Sequence, residues 1–429
     1  MSTTTTSTDG GATKDSVAAS DFAHDSTSAA TMLDSLKGYV ARVRGGDMGS
    51  LPAILGLAVL MVVFGLSNDR FFSLLNMANL VVQAGPIVLL AMGLVFVLLI
   101  GQIDLSAGVA GGVAAAATAL TVANQGWPWY AAVALGILCG AVIGVVIGAL
   151  VARLGIPSFV VTLAFFLGLQ GVILRMIGQG GSVGVNDPVL RGLTIDTVPV
   201  TAGWVAAALL VVAFAVGSLL QHRRQVANRL QHHPFSVVLL RIATVAVVVL
   251  GLTGLLSLNR SVNPNFPITG IPWVLPLVVV LLLICTFVLD RTAFGRHLYA
   301  VGGNAEAARR AGINVPRMQV YAFMICSALA AVSGIVQSSY TGGVSTASGG
   351  GNTLLYAVGA AVIGGTSLFG GKGRAIHAVL GGVVIATIAN GLGLLNQAAY
   401  INFLVTGIVL LVAASVDAIS RRRRSASGL

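Results

Sequence analysis

An all-α fold threading a membrane about twelve times is what this sequence predicts, on three observations. Charged residues make up 9% of the chain and hydrophobic residues 56%, whereas soluble proteins carry about 25% charged residues. The apolar residues gather into twelve runs, approximately 51–67, 74–100, 107–123, 130–152, 157–178, 201–220, 236–257, 273–290, 318–340, 354–369, 375–395 and 401–419. A helix needs roughly 20 apolar residues to span a bilayer, and most of these runs come near that. Finally, 20 of the 24 Lys and Arg residues fall in alternate connections between runs, counting from the N-terminus. That asymmetry marks the cytoplasmic side and puts both termini there, leaving only Arg70, Arg175, Arg191 and Arg260 on the other side. The net charge of +11 therefore sets topology and does not point to nucleic acid.

Residues 1–50, opening MSTTTTSTDGGATKD, are rich in Thr, Ser and Ala. They predict a disordered cytoplasmic tail, since such a composition cannot bury a core. No basic start followed by a short apolar stretch suggests a cleaved signal. The membrane domain is expected over 51–420 and a basic cytoplasmic tail over 421–429. Within the domain, Gly85-Pro86 interrupts the run 74–100, and the run 354–369 is brief and flanked by glycines; broken spans of this kind suit a cavity wall. The 54 glycines fit helices whose backbones approach closely. Cys139, Cys285 and Cys326 all lie in apolar runs without metal-ligand spacing, and read as small core residues. Residues 201–257 form a hairpin around the basic turn QHRRQVANRLQHHP, whose adjacent His232 and His233 lack the further ligands a metal requires.

Three polar segments carry the functional signal. The first is TAFGRHLYAVGGNAEAARRAGINVPR, residues 292–317. Asn304 is an N-cap, Glu306 lies in the first turn, Arg309 and Arg310 in the last, and Gly312 stands where a left-handed stop would fall. Ala305, Ala308 and Ala311 leave one side small, and Pro316 blocks continuation. A short capped helix between two spans is either a topology-setting loop or a handle for another protein. The second segment is GQIDLSAG, residues 101–108. Asp104 is an acid beside membrane spans, and so a candidate site residue; it also suits a capping role at a tight turn near the inner face, with Asp104 or Ser106 capping the helix that begins near Ala107. The third, residues 341–374, offers Asn352, Thr353 and Tyr356 as neutral hydrogen-bonding groups suited to an uncharged polyol. In IPSFVVTLAFFLGLQG, Phe165 is a further candidate for lining a sugar path, with simple packing as the other reading.

These motifs resemble those of the sugar-importing ATP-binding-cassette permeases of the ribose and xylose branch. The resemblance rests on Gly302-Gly303-Asn304, Ala307-Ala308-Arg309 and Gly312-Ile313, on GQIDLSAG, and on the glycine-rich segment to Arg374. Gln102 replaces a usual glycine, and Lys372 stands where arginine is customary. The resemblance implies a ten-span core, with the 201–257 hairpin as an insertion and 292–317 as the cytoplasmic coupling segment. It implies coupling to an ATPase through Gly302, Gly303, Asn304, Glu306, Ala308, Arg309, Arg310 and Gly312. It further implies a homodimer in the bacterial plasma membrane, a separate ATPase subunit holding ATP and Mg, an extracytoplasmic sugar-binding protein, and a pentose cargo, xylose first and ribose next. The chain itself has no Walker A sequence, since Gly370-Gly371-Lys372-Gly373 lacks the spacing and the hydroxyl. No enzymatic role, cofactor or metal of its own is expected. The alternatives are an ion-coupled secondary sugar transporter working without an ATPase, and a channel-like protein. Apart from Asp104, no clear membrane acid would relay protons, which weakens the first.

Overall fold

The computed structural model describes residues 49–178, 181–228, 234–261, 263 and 265–426, and each of the twelve apolar runs holds a helix, although the run 354–369 is helical only as far as Ile363. The expected tail 1–50 lies outside the described residues except for Gly49 and Ser50, as do His232, His233 and the last three residues of the expected basic tail. The first helices are α1 (Leu51–Ser67), α2 (Leu74–Leu99), α3 (Ala107–Gln125), α4 (Trp129–Leu154) and α5 (Ser158–Ile177). A strand β1 (Ser182–Gly184), a short α6 (Pro188–Ile195) and β2 (Thr197–Val198) follow, then the hairpin helices α7 (Val200–Ala227) and α8 (Phe235–Ser257). After β3 (Ile271–Pro272) come α9 (Val274–Arg291), α10 (Ala293–Gly303), α11 (Ala305–Arg310), α12 (Val315–Thr341), β4 (Gly343–Ser345), α13 (Thr353–Ile363), α14 (Ala375–Leu394) and α15 (Ala399–Ala426). Among the described residues, nine helices are long and apolar enough to cross a membrane. Three apolar helices are shorter: α1, α13 and the stretch Tyr400–Val412 within α15. Nine of the twelve expected spans are thus long and apolar enough to cross, and the other three runs form shorter helices, in an all-α chain whose strands, among the described residues, form two small pairs, β1 with β4 and β2 with β3.

The chain divides into two compact units. The smaller contains the hairpin Trp204–Gly254, and the larger joins Gly45–Gly203 to Leu255–Leu429. In the hairpin unit, Arg241 stacks over the Phe214 ring at 5.5 Å, and the rings of His222 and Phe235 lie 5.8 Å apart.

In the larger unit α2 is the central element. Every residue from Val88 to Leu99 is buried, against α12, α14, α13 and α9. Close packing follows from small residues, as membrane helices gain no hydrophobic drive from one another. Gly140, Gly144 and Gly148 recur every fourth residue along α4 and face the backbone of α12. A Cβ on Gly144 would sit 2.3 Å from the Phe323 carbonyl oxygen, and one on Gly140 2.6 Å from that of Ser327. The expected break at Gly85-Pro86 does not occur: α2 runs through it. Proline removes only the bond that its own N–H would have made to Val82 O, and a cross-helix bond from Ser333 Oγ of α12 to Pro86 O at 2.7 Å ties this stretch of α2 to its neighbour.

The real interruptions lie elsewhere. Residues 101–106 and 342–352 are non-helical, and the second segment packs on the first turns of α3, which follows the first: a Cβ on Gly108 would fall 2.5 Å from the Gly349 carbonyl oxygen. Asp104 is therefore not at a surface turn near the inner face. It is fully buried, with its carboxyl against Cys326 of α12, whose carbonyl packs on Gly93. Gly93 is six residues inside the end of α2, about 9 Å at 1.5 Å per residue. The chain turns at Gly101 and climbs back into the bundle before α3 starts. Non-helical backbone at such depth is tolerated because protein surrounds it.

Candidate translocation cavity and coupling junction

At the end of the larger unit where α2 begins and α12 and α14 end, a cavity of about 910 Å³ opens between α2, α12, α13 and α14. Helix α2 brings Asn76, Asn79 and Gln83 to it, at i, i+3 and i+7 and so on one face. Asn390 of α14 completes an amide cluster. Asn76 Nδ2 donates to Asn390 Oδ1 at 2.9 Å, Asn390 Nδ2 donates back to Asn76 Oδ1 at 2.9 Å, and the same Nδ2 reaches Gln83 Oε1 at 3.2 Å. Asn76 also donates to Phe71 O at 2.8 Å. Buried amides tied in this way hold two spans in register, because each would leave unpaired polar atoms if the other moved. Across the opening, Gln337 and Tyr340 end α12, and the β1–β4 pair sets Ser182 opposite Ser345. No residue lining the cavity carries a charge.

The sequence candidates distribute unevenly around this site. Thr353 and Tyr356 of α13 line the cavity, whereas Asn352, at the N-cap position of α13 without a side-chain cap bond, does not. Phe165 packs with Val109, Val113, Leu169 and Ile173 away from it. Asp104 also lies outside; its Oδ1 accepts from Ser106 N at 2.9 Å and from Ser106 Oγ, so the carboxylate caps the approach to α3. The amides of α2 and Asn390 were missed by sequence reasoning. Their signal was present: three amides at helical spacing inside an otherwise apolar run, and a single amide within 375–395.

At the opposite, basic end, residues 292–317 form an arm of two helices. Thr292 Oγ1 accepts from Gly295 N at 3.2 Å to cap α10, which buries Gly295, Leu298 and Val301. Asn304 ends α10 with an extended backbone and caps α11, its Oδ1 accepting from Ala307 N at 3.0 Å. Glu306 pairs with Arg309 and, at 3.1 Å, with Arg310; all three are exposed. Gly312 takes a φ of +85°, open to glycine at little cost. Of the three alanines only Ala308 is buried; Ala305 and Ala311 are exposed, so the smooth side is narrower than spacing by threes implied. A six-residue helix turns only one residue fully inward.

The arm is wedged into the bundle at Gly302. A Cβ there would lie 1.7 Å from Leu99 O and 2.6 Å from Gly371 N, and those two atoms are themselves hydrogen-bonded at 2.8 Å. Tyr299 donates its hydroxyl to Gly373 O at 2.7 Å, and burial, with Asp290 nearby, holds its phenol above the usual pKa. Arg374 pairs with Asp290 at 3.1 Å. The end of α2, the arm and the turn before α14 thus meet in one junction. Beside it, a cleft of about 540 Å³ runs between α11 and the α4–α5 connection, lined by Gln102, Ser158, Glu306 and Arg309.

A polytopic bundle with a charge-free polar cavity at one end and a capped helical arm seated at the other defines a membrane transport permease. This chain belongs to the family described as "Branched-chain amino acid transport system / permease component", whose pattern matches residues 76–414. It is 34% identical to the xylose transport system permease protein XylH of Escherichia coli (strain K12), over 86% of this chain and 92% of that one. Likewise it is 32% identical to the XylH protein of Haemophilus influenzae, over 86% and 96%, and 28% identical to the ribose import permease protein RbsC of E. coli (strain K12), over 85% and 92%. No solved structure matches the chain significantly.

Proposed function

We propose that this protein is the permease subunit of an ATP-driven importer for a pentose, xylose first and ribose next, in a bacterial plasma membrane. The observation that carries the choice of cargo is the charge-free lining of the cavity. The matching family's description speaks of amino acids, and an amino acid brings a carboxylate and an ammonium into the membrane; each needs a partner there. A sugar brings hydroxyls, which amides, tyrosines and serines match one for one while holding loosely enough for release. The cavity volume falls within the roughly 300–1,000 Å³ of small-molecule sites. Similarity to xylose and ribose permeases supports the same cargo.

In this reading the basic end is cytoplasmic, with both termini on that side. A partner ATPase, holding ATP and Mg, grips the exposed face of α11 at Glu306, Arg309 and Arg310. Its closure moves the arm as a rigid body, and Gly302 transmits the motion to the end of α2 and the turn before α14. Because α2 and α14 also carry the amide cluster, displacement at one end re-spaces the cavity wall at the other. Two copies of the chain would enclose the path, the 201–257 hairpin would be an insertion, and an extracytoplasmic binding protein would deliver the sugar. The test is uptake by proteoliposomes holding permease, ATPase and binding protein. Xylose accumulation that needs ATP and ignores excess leucine is expected. Uptake without the ATPase subunit would instead establish the secondary transporter.

A further inference from the structure

Beside the basic turn of the hairpin, described residues of α7 and α8 shape a second site. On α7, Ser218, Gln221, His222 and Gln225 recur at three and four and share one face. Val237, Val238 and Arg241 of α8 face them across a cavity of about 230 Å³. The hairpin Trp204–Gly254 contains Arg223, Arg224, Arg229 and Arg241 but neither Asp nor Glu, so it supplies no carboxylate to balance them. Arg241 is the sixth residue beyond Phe235, about 9 Å along α8, where a span passes from headgroup level into hydrocarbon. Its guanidinium lies over the Phe214 ring, which supplies an attractive face but no counter-charge.

We infer that this cavity binds the phosphate headgroup of an anionic phospholipid of the surrounding leaflet. The planar fork of Arg241 matches two phosphate oxygens at once. Ser218, Gln221 and Gln225 add neutral donors that suit phosphate and glycerol oxygens. Val237 and Val238 add apolar surface to the same wall. A basic pocket between spans at the headgroup level selects anionic over zwitterionic lipid by charge. A soluble phosphate ester would share the headgroup chemistry, but not the exposed apolar flanks at Leu220 and Leu240, which neighbour the pocket residues in sequence. The inference rests on the membrane-spanning fold and not on the sugar cycle.

Full-length permease in nanodiscs of phosphatidylcholine containing a minor share of phosphatidylglycerol provides the test, with native mass spectrometry reading the lipids retained. Wild type should keep phosphatidylglycerol selectively. Arg241→Gln should keep about fivefold less, the worth of one arginine near a membrane surface. Arg241→Lys retains the charge without the fork and should fall between, which separates loss of the site from misfolding. Arg175→Gln, which does not line the pocket, should match wild type. Equal retention by wild type and Arg241→Gln, or indifference to headgroup charge, overturns the inference. So does displacement of the lipid by soluble glycerol phosphate at matched concentration, which would assign the pocket to a soluble ligand. No sugar, ATPase or binding protein enters the assay, so failure here leaves the import reading standing, and the reverse.

Discussion

Gly302→Ala is the sharpest perturbation of the coupling junction. The added methyl would meet main-chain atoms and no flexible side chain: Leu99 O at 1.7 Å and Gly371 N at 2.6 Å. To reach even 3.0 Å from Leu99 O, the arm must retreat by about 1.3 Å. Overpacking of this kind costs about 1–3 kcal/mol. Prising apart Leu99 O and Gly371 N would add about 1 kcal/mol for the lost hydrogen bond. A total of about 2–4 kcal/mol shifts the balance between seated and displaced arm by roughly 30- to 1,000-fold. The cavity lies at the other end of the bundle, so insertion and binding-protein docking should survive. Sugar-stimulated ATP hydrolysis in proteoliposomes, normalised to permease, should fall at least tenfold. Gly303→Ala is the matched control: its Cβ would meet nothing within 4 Å and its φ is not positive, so it should behave as wild type. If Gly302→Ala remains as well coupled as Gly303→Ala, the wedge transmits nothing and the mechanism fails.

Three other substitutions probe the arm, the buried acid and the cavity. Ala308→Pro removes the bond from Ala308 N to Asn304 O and costs about 3 kcal/mol in a six-residue helix; the permease should insert normally but pull down its ATPase poorly, with Arg309→Glu a milder version because an exposed charge contact is worth about 0–1 kcal/mol. Wild-type ATPase yield with Ala308→Pro would reduce α11 to a loop. Asp104→Asn preserves the acceptor that Ser106 uses and should retain most uptake at matched expression, whereas Asp104→Ala strips it and should not; loss of uptake in the asparagine variant would show that the charge itself is required. Asn390→Leu leaves Asn76 and Gln83 without their buried partner, at about 1–3 kcal/mol. Half-saturation for xylose should rise about tenfold while ATPase binding is unchanged, and unaltered uptake would place the path elsewhere.

What the sequence determined by itself was the class of protein, the number of apolar runs, their alternation and the local chemistry of the arm. These are short-range properties. Hydropathy sets a span over twenty neighbouring residues, and capping at Asn304 or the left-handed turn at Gly312 depends on residues three or four apart. The same local logic misplaced the break at Gly85-Pro86, because Ser333, 247 residues away, supports that stretch of α2. It set Asp104 near the surface, because nothing nearby in sequence shows that residues 101–106 climb back into the bundle. Only tertiary structure could join Asn76 and Gln83 to Asn390, or wedge Gly302 between Leu99 and Gly371. Those contacts bridge from 69 to more than 300 positions of chain, and each amide or glycine acquires its meaning from the backbone or side chain that the packing of other helices brings against it.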